Sequence, residues 1–243
     1  ETFDNQDEER LRIAVASADR LLHLRRSKTE ANPEELLTAY TFAASAYFFV
    51  DEKSTAAMYF RHALEIISQK DSSGGIPEYE FLAENLFLCL LATGEYIEAR
   101  DLTEIRRQTL AHYRHQIMKS LDTSKRELKK AEAANPKVEE TIEALRIEVS
   151  NTISVLFEYT ASQANQCARL VELNIDCKNL EMARKAHENL IDILKSHVGD
   201  PILGTLLARA HLQLCIEELA AENTERAAQL CHLARQLVRE GVA

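Results

Sequence analysis

The sequence predicts an all-helical protein built as a stack of antiparallel helix pairs, with about nine helices in total. Only 6 glycines and 4 prolines interrupt the 243 residues, whereas a sheet-rich chain of this length would need many more turn residues. Apolar side chains recur at separations of three and four residues over long stretches, which is the spacing of one helix face. The hydrophobic share of 46% is typical of a folded protein and argues against global disorder.

Residues that end or start helices divide the chain into segments. Proline is favoured in the first turn of a helix, so Asn32-Pro33 separates the first helix from the second, and Gly94 separates the fourth from the fifth. Residues 71–77, with two glycines and a proline, are predicted to be a loop, and Asn135-Pro136 separates two long unbroken segments. The predicted helices run over residues 4–26, 33–50, 54–70, 78–93, 95–134, 137–176, 179–197, 202–221 and 224–240.

A pattern of residue sizes recurs four times and predicts an internal repeat. In each copy, four packing positions are separated by twelve, four and three residues. The four sets, called the ladder below, are Ala44, Ala56, Phe60 and Ala63; Phe87, Ala99, Thr103 and Arg106; Val171, Ala183, His187 and Leu190; and Cys215, Ala227, Cys231 and Ala234. The second position is alanine in every copy, and a side chain this small lets paired helices approach closely.

This ladder resembles the tetratricopeptide repeat (TPR), whose first helix (A) supplies one packing residue and whose second helix (B) supplies three. Tyr40, Tyr47 and the stretch 94–99 also have the character of that repeat. The resemblance covers about residues 36–110 and 163–240, and it implies a right-handed TPR-like α-solenoid. The copies are 43 or 44 residues apart instead of the usual 34, so helices or loops are longer than in most members.

The middle copies are 84 residues apart, which leaves room for a long antiparallel helical hairpin or for a fifth, degenerate repeat. Two heptad-like apolar stripes favour the hairpin, with Leu121, Leu128, Ile142 and Leu145 facing one another across its seam. The outgoing helix is basic, and acidic residues from Glu132 to Glu148 are assigned to the return helix. We interpret these charges as pairs across the seam, with an acidic external partner as the alternative.

Four regions follow from these patterns. Residues 1–32 form an N-terminal helix that packs on the first repeat, and residues 33–110 form two TPR-like repeats. Residues 111–162 form the hairpin, which we expect to be a second contact surface for a homodimer or a complex. Residues 163–243 form two further repeats and the C-terminal helix.

Charge and cysteine usage limit the function classes. A net charge of -10 disfavours nucleic acid and anionic membrane as partners. No uninterrupted apolar run approaches the roughly 18–20 residues of a membrane span. The five cysteines are odd in number and form no C-x-x-C pair, so they are expected to be buried free thiols in a reducing compartment. The expected location is intracellular, cytoplasmic, with the nucleus as the alternative.

The chain carries none of the sequence signatures of common active sites. It has no Gly-rich phosphate loop, no G-x-S-x-G elbow and no H-E-x-x-H pair, so we do not predict an enzyme. His211 and Cys215, one helical turn apart, and the neighbours Cys231 and His232 could serve as zinc ligands. Both cysteines occupy ladder positions, however, so we predict neither a metal nor a cofactor.

In tetratricopeptide proteins the A helices line a concave surface that holds a peptide or a helix, and the resemblance implies the same here. The implied groove residues are Thr38, Thr41, Ser45, Phe48, Phe81, Glu84, Leu88, Leu91, Asn165, Ala168, Glu172, Arg209, Leu212 and Ile216. They lack the basic clamp of members that bind acidic tails, so an apolar or amphipathic helix is expected. We predict a non-catalytic scaffold or adaptor, with a peptide-sensing module of a larger regulatory protein as the alternative.

Overall fold

The computed structural model describes residues 2–27, 32–69, 76–134, 139–194 and 201–241. These residues form nine α-helices and no strand, so the predicted helical class is confirmed. The helices are α1 Thr2–Arg26, α2 Pro33–Phe49, α3 Lys53–Gln69, α4 Ile76–Thr93, α5 Tyr96–Ala134, α6 Glu139–Asp176, α7 Leu180–Leu194, α8 Pro201–Ala220 and α9 Thr224–Gly241.

Helix starts follow the local chemistry that the sequence contains. At the start of α2, the Asn32 side chain accepts a hydrogen bond from the Glu34 N–H at 3.0 Å, and Pro33 occupies the first turn. The predicted loop over residues 71–77 is wrong at its end, because Ile76 and Pro77 begin α4. Proline fits this first turn because its missing N–H would have no partner within the helix. Residues 71–75 and Asn135-Pro136 lie outside the described residues.

The chain divides into two compact units, residues 1–102 and residues 103–243. In the first unit, α1 packs on α2, α2 on α3, and α3 on α4. The N-terminal helix is held to α2 by polar contacts as well as by apolar packing. Tyr47 donates its hydroxyl proton to Asp19 at 2.9 Å, and Arg26 donates to the Tyr40 hydroxyl at the same distance. The apolar contact between these helices consists mainly of small residues and leucine: Ala18, Leu22, Ala39, Ala43 and Ala46.

In the second unit, α6 packs on both α7 and α8, α7 packs on α8, and α8 packs on α9. One core cluster lies among α6, α7 and α8, with Val171, Leu190 and Leu203 at its centre. A second cluster lies farther along the chain, where Leu214 and Leu230 bring α8 and α9 together. The unit also contains residues 103–134 of α5, so the long helix begins in the first unit and continues in the second.

The ladder residues are the buried residues of these helix pairs. All sixteen are buried except Cys231, which is half-buried. Ala56 and Ala99 are both 0% exposed, so the prediction that these alanines are fully buried is confirmed. The size pattern in the sequence therefore corresponds to close contact between helices.

The turn between the A and B helices has the same backbone conformation in every copy. Each turn contains one residue with positive φ: Asp51 at 64°, Gly94 at 78°, Lys178 at 58° and Glu222 at 62°. The next residue donates its N–H to the carbonyl five residues earlier at 2.7–3.0 Å, which is the Schellman arrangement. The ladder alanine then donates its N–H to the carbonyl of that same residue at 2.9–3.0 Å. Each turn thus ends one helix and places the next ladder alanine.

Candidate partner-binding surfaces

The first unit exposes part of α2 and α4, the A helices of its two repeats. On α4, Phe81 is 51% exposed and Leu88 is 42% exposed, while Glu84 and Leu91 are half-buried. On α2, Thr38 is exposed, whereas the other implied groove residues, Thr41, Ser45 and Phe48, are half-buried. Every groove residue implied for this unit therefore reaches solvent at least in part.

Phe48 is held in place by a lysine at the start of the next helix. The Lys53 ammonium nitrogen lies 3.5 Å from the centroid of the Phe48 ring and donates a hydrogen bond to the Phe48 carbonyl at 2.8 Å. The Phe49 ring meets the Phe48 ring edge to face, with centroids 6.1 Å apart. These contacts fix the orientation of the aromatic side chains at the end of α2.

Two large aromatic residues on α2 were not among the implied groove residues. Phe42 is 44% exposed and Phe49 is 70% exposed, and they stand three residues before and four residues after Ser45. Residues at these separations lie on one side of a helix, so both extend the exposed face that includes Ser45. The spacing was a usable signal, because positions 38, 42, 45 and 49 follow one helix face.

The second unit exposes a more continuous apolar row on α8. Leu212 is 46% exposed and Ile216 is 64% exposed, and Arg209 stands at the N-terminal end of the row. The Arg209 guanidinium bonds the Glu172 carboxylate at 2.9 Å, which links α8 to α6. Four implied groove residues from two A helices thus lie together: the apolar pair Leu212 and Ile216, and the ion pair of Arg209 and Glu172.

Three residues qualify the prediction for this unit. Asn165 is half-buried, but Ala168 is only 4% exposed, so Ala168 has almost no surface to offer a partner. Leu219, which was not among the implied residues, is 53% exposed and continues the row of Leu212 and Ile216. Leu219 stands four residues after Cys215, as Phe48 and Leu91 stand four residues after the first ladder residue of their copies. The alignment of the repeat copies could therefore have identified Leu219 as a groove residue.

In the hairpin, the proposed seam residues are the less exposed residues of α5 and α6. Leu121 and Ile142 are buried, and Leu128 and Leu145 are half-buried, while most residues between them are exposed. Polar contacts also join the two helices: Ser124 donates to Glu148 at 2.7 Å, and the centroids of the Tyr113 and Tyr159 rings are 6.3 Å apart. The seam assignment remains a proposal, and these contacts support it.

The charges of the hairpin differ from the sequence interpretation. Glu132 lies on α5 and not on the return helix, because α5 extends to Ala134. It bonds Arg146 of α6 at 3.0 Å, so this cross-hairpin ion pair has its acidic partner on the basic helix. Lys129 and Lys130 form no ion pair with any described residue. The reason is geometric, since the seam faces α6 and most of the basic residues do not.

A buried carboxylate links the last two repeats. The Glu218 side chain is 0% exposed, and both of its oxygens accept hydrogen bonds from Arg184 at 2.6 Å. Asn223 donates to the same carboxylate at 2.8 Å, and Arg226 lies 3.3 Å away. These contacts lower the pKa of Glu218, chiefly through the Arg184 hydrogen bonds, so the group stays ionised where it is buried. The carboxylate therefore acts as a polar tie between α7 and α8.

Two histidines form a buried pair near this tie. His187 and His211 are 3% and 2% exposed, and their ring nitrogens are 2.8 Å apart. The pKa of each is lowered to about 4, chiefly by burial, and the proximity of His211 contributes to the lowering for His187. Both imidazoles are neutral at neutral pH, and one donates its N–H to the other. His211 is thus hydrogen-bonded to His187, and the Cys215 thiol donates a hydrogen bond to the Ala227 carbonyl at 3.2 Å.

The other candidate reactive groups are also accounted for by packing. All five cysteines are free; three are buried, and Cys177 and Cys231 are half-buried, which corrects the expectation that all five are buried. Burial raises the pKa of Cys89 to about 11 and that of Cys167 to about 12. Within the part of the chain that the structure describes, no three His, Cys, Asp or Glu side chains are grouped to hold a metal ion.

Among the described helices, none is both long enough and apolar enough to cross a membrane.

Comparison with known proteins identifies the fold. No protein-family model and no curated protein matches the sequence. A variant of a kinesin-light-chain-like protein of Podosopora anserina, with nearly identical TPR-like repeats, matches 96% of this chain and 88% of its own, at 14% identity and a TM-score of 0.52. BtubC (BKLC) of P. vanneervenii matches 96% of this chain and 75% of its own, at 16% identity and a TM-score of 0.49. The first match, together with the buried ladder and the recurring turn, shows that the chain has a TPR-like helical-repeat fold.

Proposed function

We propose that the chain is a non-catalytic scaffold or adaptor that binds another protein on the exposed faces of its A helices. The observation that carries this proposal is the row of large apolar side chains on these helices. In the second unit the row consists of Leu212, Ile216 and Leu219, and in the first unit Phe49 and Phe81 are more than half exposed.

The residual exposure of these side chains provides a driving force for binding. Complete burial of one such side chain is worth roughly 1.5–3 kcal/mol, and about half of it remains available for a half-exposed residue. Three or four such side chains could therefore supply several kcal/mol toward association, before the entropy cost of binding. Exposed apolar rows of this kind are typical of interaction surfaces.

The spacing of the row indicates the form of the partner. Leu212, Ile216 and Leu219 are separated by four and three residues, so they form a straight apolar edge along α8. An amphipathic helix can place its own apolar edge against such a row, while a polar rim of Arg209 and Glu172 remains in contact with water. An apolar or amphipathic helical segment of a partner protein is the ligand that fits this surface.

We also propose the hairpin of α5 and α6 as a second contact surface, for a second copy of the chain or another subunit. A two-helix arm buries one seam and leaves its outer faces exposed to solvent. Lys125, Arg126, Glu139 and Glu140, on either side of the hairpin end, are all exposed.

Affinity capture with cross-linking tests the main proposal and uses matched variants in each unit. Ile216→Glu should abolish capture of the partner that uses the second unit, because a carboxylate would be buried against its apolar edge. Met182→Glu is the control, since Met182 is 45% exposed on α7, a B helix of the same unit. Phe49→Glu and Met58→Glu form the corresponding pair in the first unit, with Met58 42% exposed on α3.

The outcome distinguishes a specific binding surface from nonspecific hydrophobic association. Loss of a captured protein in the A-helix variants, with retention in the controls, is the expected result. Equal capture by all four variants would refute the proposal, and so would equal loss. Unchanged helical circular dichroism in each variant shows that the fold is intact.

A further inference from the structure

The outer face of α5 carries a row of basic side chains near the end of the hairpin. We define the basic stripe as Lys119, Lys125, Arg126, Lys129 and Lys130. All five are exposed, and all lie in the second unit. They span twelve residues, and the eleven steps between the first and the last correspond to about 17 Å along a helix at 1.5 Å per residue.

Most of the basic stripe points away from α6. Ser124 faces α6, since its hydroxyl donates to Glu148 at 2.7 Å, and Leu121 and Leu128 are on the same side. Successive residues of a helix are rotated by about 100°, so Arg126 lies roughly 200° around the helix from Ser124. Acidic residues of α6 are therefore on the wrong side to neutralise the centre of the stripe.

Within the described chain, no carboxylate forms an ion pair with a cation of the stripe. None of its five cations forms an ion pair or a hydrogen bond with a described residue. The cross-hairpin ion pair of Glu132 uses Arg146 of α6. Asp122 and Glu127 are on the same stretch of α5, yet five cations outnumber these two carboxylates. The stripe is thus a local positive surface on a chain whose net charge is -10.

We propose that the basic stripe binds an acidic segment of a partner protein. This proposal deepens the second contact surface proposed above by naming its face and the chemistry of its ligand. Carboxylates placed along the stripe would relieve the repulsion among five unpaired cations, and local charges dominate at separations near the Debye length of about 8 Å.

Other polyanions fit the stripe less well. Nucleic-acid surfaces combine cations with aromatic side chains for stacking, and the stripe has no aromatic residue. Binding to an anionic membrane requires a row of apolar side chains beside the cations, and the stripe has none. The overall negative charge of the chain opposes both extended polyanions more than it opposes a short acidic segment.

Fluorescence anisotropy with a labelled dodecapeptide of alternating glutamate and alanine tests this inference on the full chain. We expect saturable binding that weakens as salt is added, because the contacts are between exposed charges. The Lys129→Gln/Lys130→Gln variant should bind about three- to tenfold more weakly. The Arg235→Gln/Arg239→Gln variant is the matched control, since it removes two exposed cations from α9 of the same unit, and its affinity should equal that of the parent.

Three outcomes would overturn the inference: no peptide binding at low salt, equal loss in the two variants, or tighter binding of a single-stranded oligonucleotide of equal charge at the same salt. Anionic vesicles that bind while the peptide does not would also overturn it. Ile216→Glu should leave peptide affinity unchanged. A negative result for peptide binding to the stripe therefore does not affect the proposal for the A-helix faces. A negative result for the A-helix faces likewise does not affect the inference about the stripe.

Discussion

Four residues in the turns between paired helices carry a positive φ angle, and only one of them is glycine. A side chain with a Cβ atom costs roughly 1–2 kcal/mol in this conformation, whereas glycine adopts it freely. Lys178, Asp51 and Glu222 therefore carry a local cost that the packing of the flanking helices offsets. At these three positions, the packing of the flanking helices stabilises a backbone conformation that is unfavourable for a residue with a Cβ atom.

Lys178→Gly should raise the free energy of unfolding by roughly 0.5–1 kcal/mol, because relief of the strained φ exceeds the added flexibility of the unfolded chain. Chemical denaturation of the parent and the variant measures the difference. Lys185→Gly is the control, since Lys185 is exposed inside α7, where glycine should lower stability by about 1 kcal/mol. If both variants are destabilised equally, the positive φ at Lys178 contributes no strain.

The buried histidine pair predicts a pH dependence of stability. The pKa of His187 and that of His211 are each about 4 in the folded chain and about 6.5 when unfolded. Between these values the unfolded chain binds protons that the folded chain does not, so stability is full above pH 6.5 and falls as the pH approaches 4. We expect a loss of roughly 2–4 kcal/mol between about pH 7 and pH 5.

Denaturation at a series of pH values measures this loss. A double variant, His187→Phe with His211→Leu, should flatten the curve between about pH 7 and pH 5, because it removes both groups that must remain neutral. Phenylalanine already stands at the equivalent ladder position, Phe60, in the first copy. A curve of unchanged slope in the double variant would mean that other groups control the acid sensitivity.

Helix pairing depends on the ladder alanines, which leave no room for larger side chains. Ala56→Leu and Ala99→Leu should each destabilise the chain by roughly 1–3 kcal/mol through overpacking. The adjacent residues Ala227 and Ala228 form a matched pair within α9, because Ala227 is 1% exposed and Ala228 is exposed. Thermal melting should show a lower midpoint for Ala227→Leu and an unchanged midpoint for Ala228→Leu. Equal midpoints would contradict the ladder assignment.

We propose that the end of the hairpin is independent of the repeats, so that its loss should leave them folded. Replacing residues 121–145 with a short Gly/Ser turn removes the end of the arm, where residues 125–133 are mostly exposed. We expect the repeats to stay folded, with a sharp melting transition, while one partner or a dimer is lost. Size-exclusion chromatography with light scattering and thermal melting measure both effects. Unfolding of the whole chain would mean that the segment is part of the core, as a fifth repeat would be.

The sequence was sufficient for the elements and their pairing. Gly94 and Asn32-Pro33 mark helix boundaries because their backbone preferences are local, and the ladder marks buried contacts because size is a property of each residue. The start of α4 was missed because Pro77 is compatible with both a loop and a first helical turn. The positive φ at Lys178 and Glu222 has no sequence signal, since neither residue prefers that conformation, whereas aspartate, as at Asp51, adopts it more often than most residues.

Exposure on the A helices was harder to predict than the helices themselves. The helix-face spacing of Phe42 and Phe49 and the repeat position of Leu219 indicate which way these side chains point, but how much of each remains exposed depends on how neighbouring helices pack, which is not a local property. Glu132 was assigned to the return helix although it precedes the end of α5. The rotation of α5 about its axis decides which of its basic residues face α6. Periodicity led to the proposed seam, while the orientation of the basic residues required the three-dimensional arrangement.

At the scale of the whole molecule, the chain combines a TPR-like fold with exposed apolar rows in each of its two units. Its core residues pack helix pairs. Among its buried polar groups, Glu218 is hydrogen-bonded to Arg184 and Asn223, and the two histidines are hydrogen-bonded to each other. Exposed side chains on the A helices and in the basic stripe are the ones to which we assign partner binding. We propose that the A-helix faces bind a partner protein.

Photo-cross-linking from defined positions tests that claim most directly. A photoreactive amino acid placed at Ile216, and separately at Phe49, should cross-link to a segment of a partner protein that mass spectrometry can identify. The same group at Met182 and at Met58, on the B helices of the two units, should cross-link to no such segment. We predict that the captured segment is apolar or amphipathic and of helical periodicity. Cross-links from the B-helix positions only, or from all four positions alike, would contradict the claim.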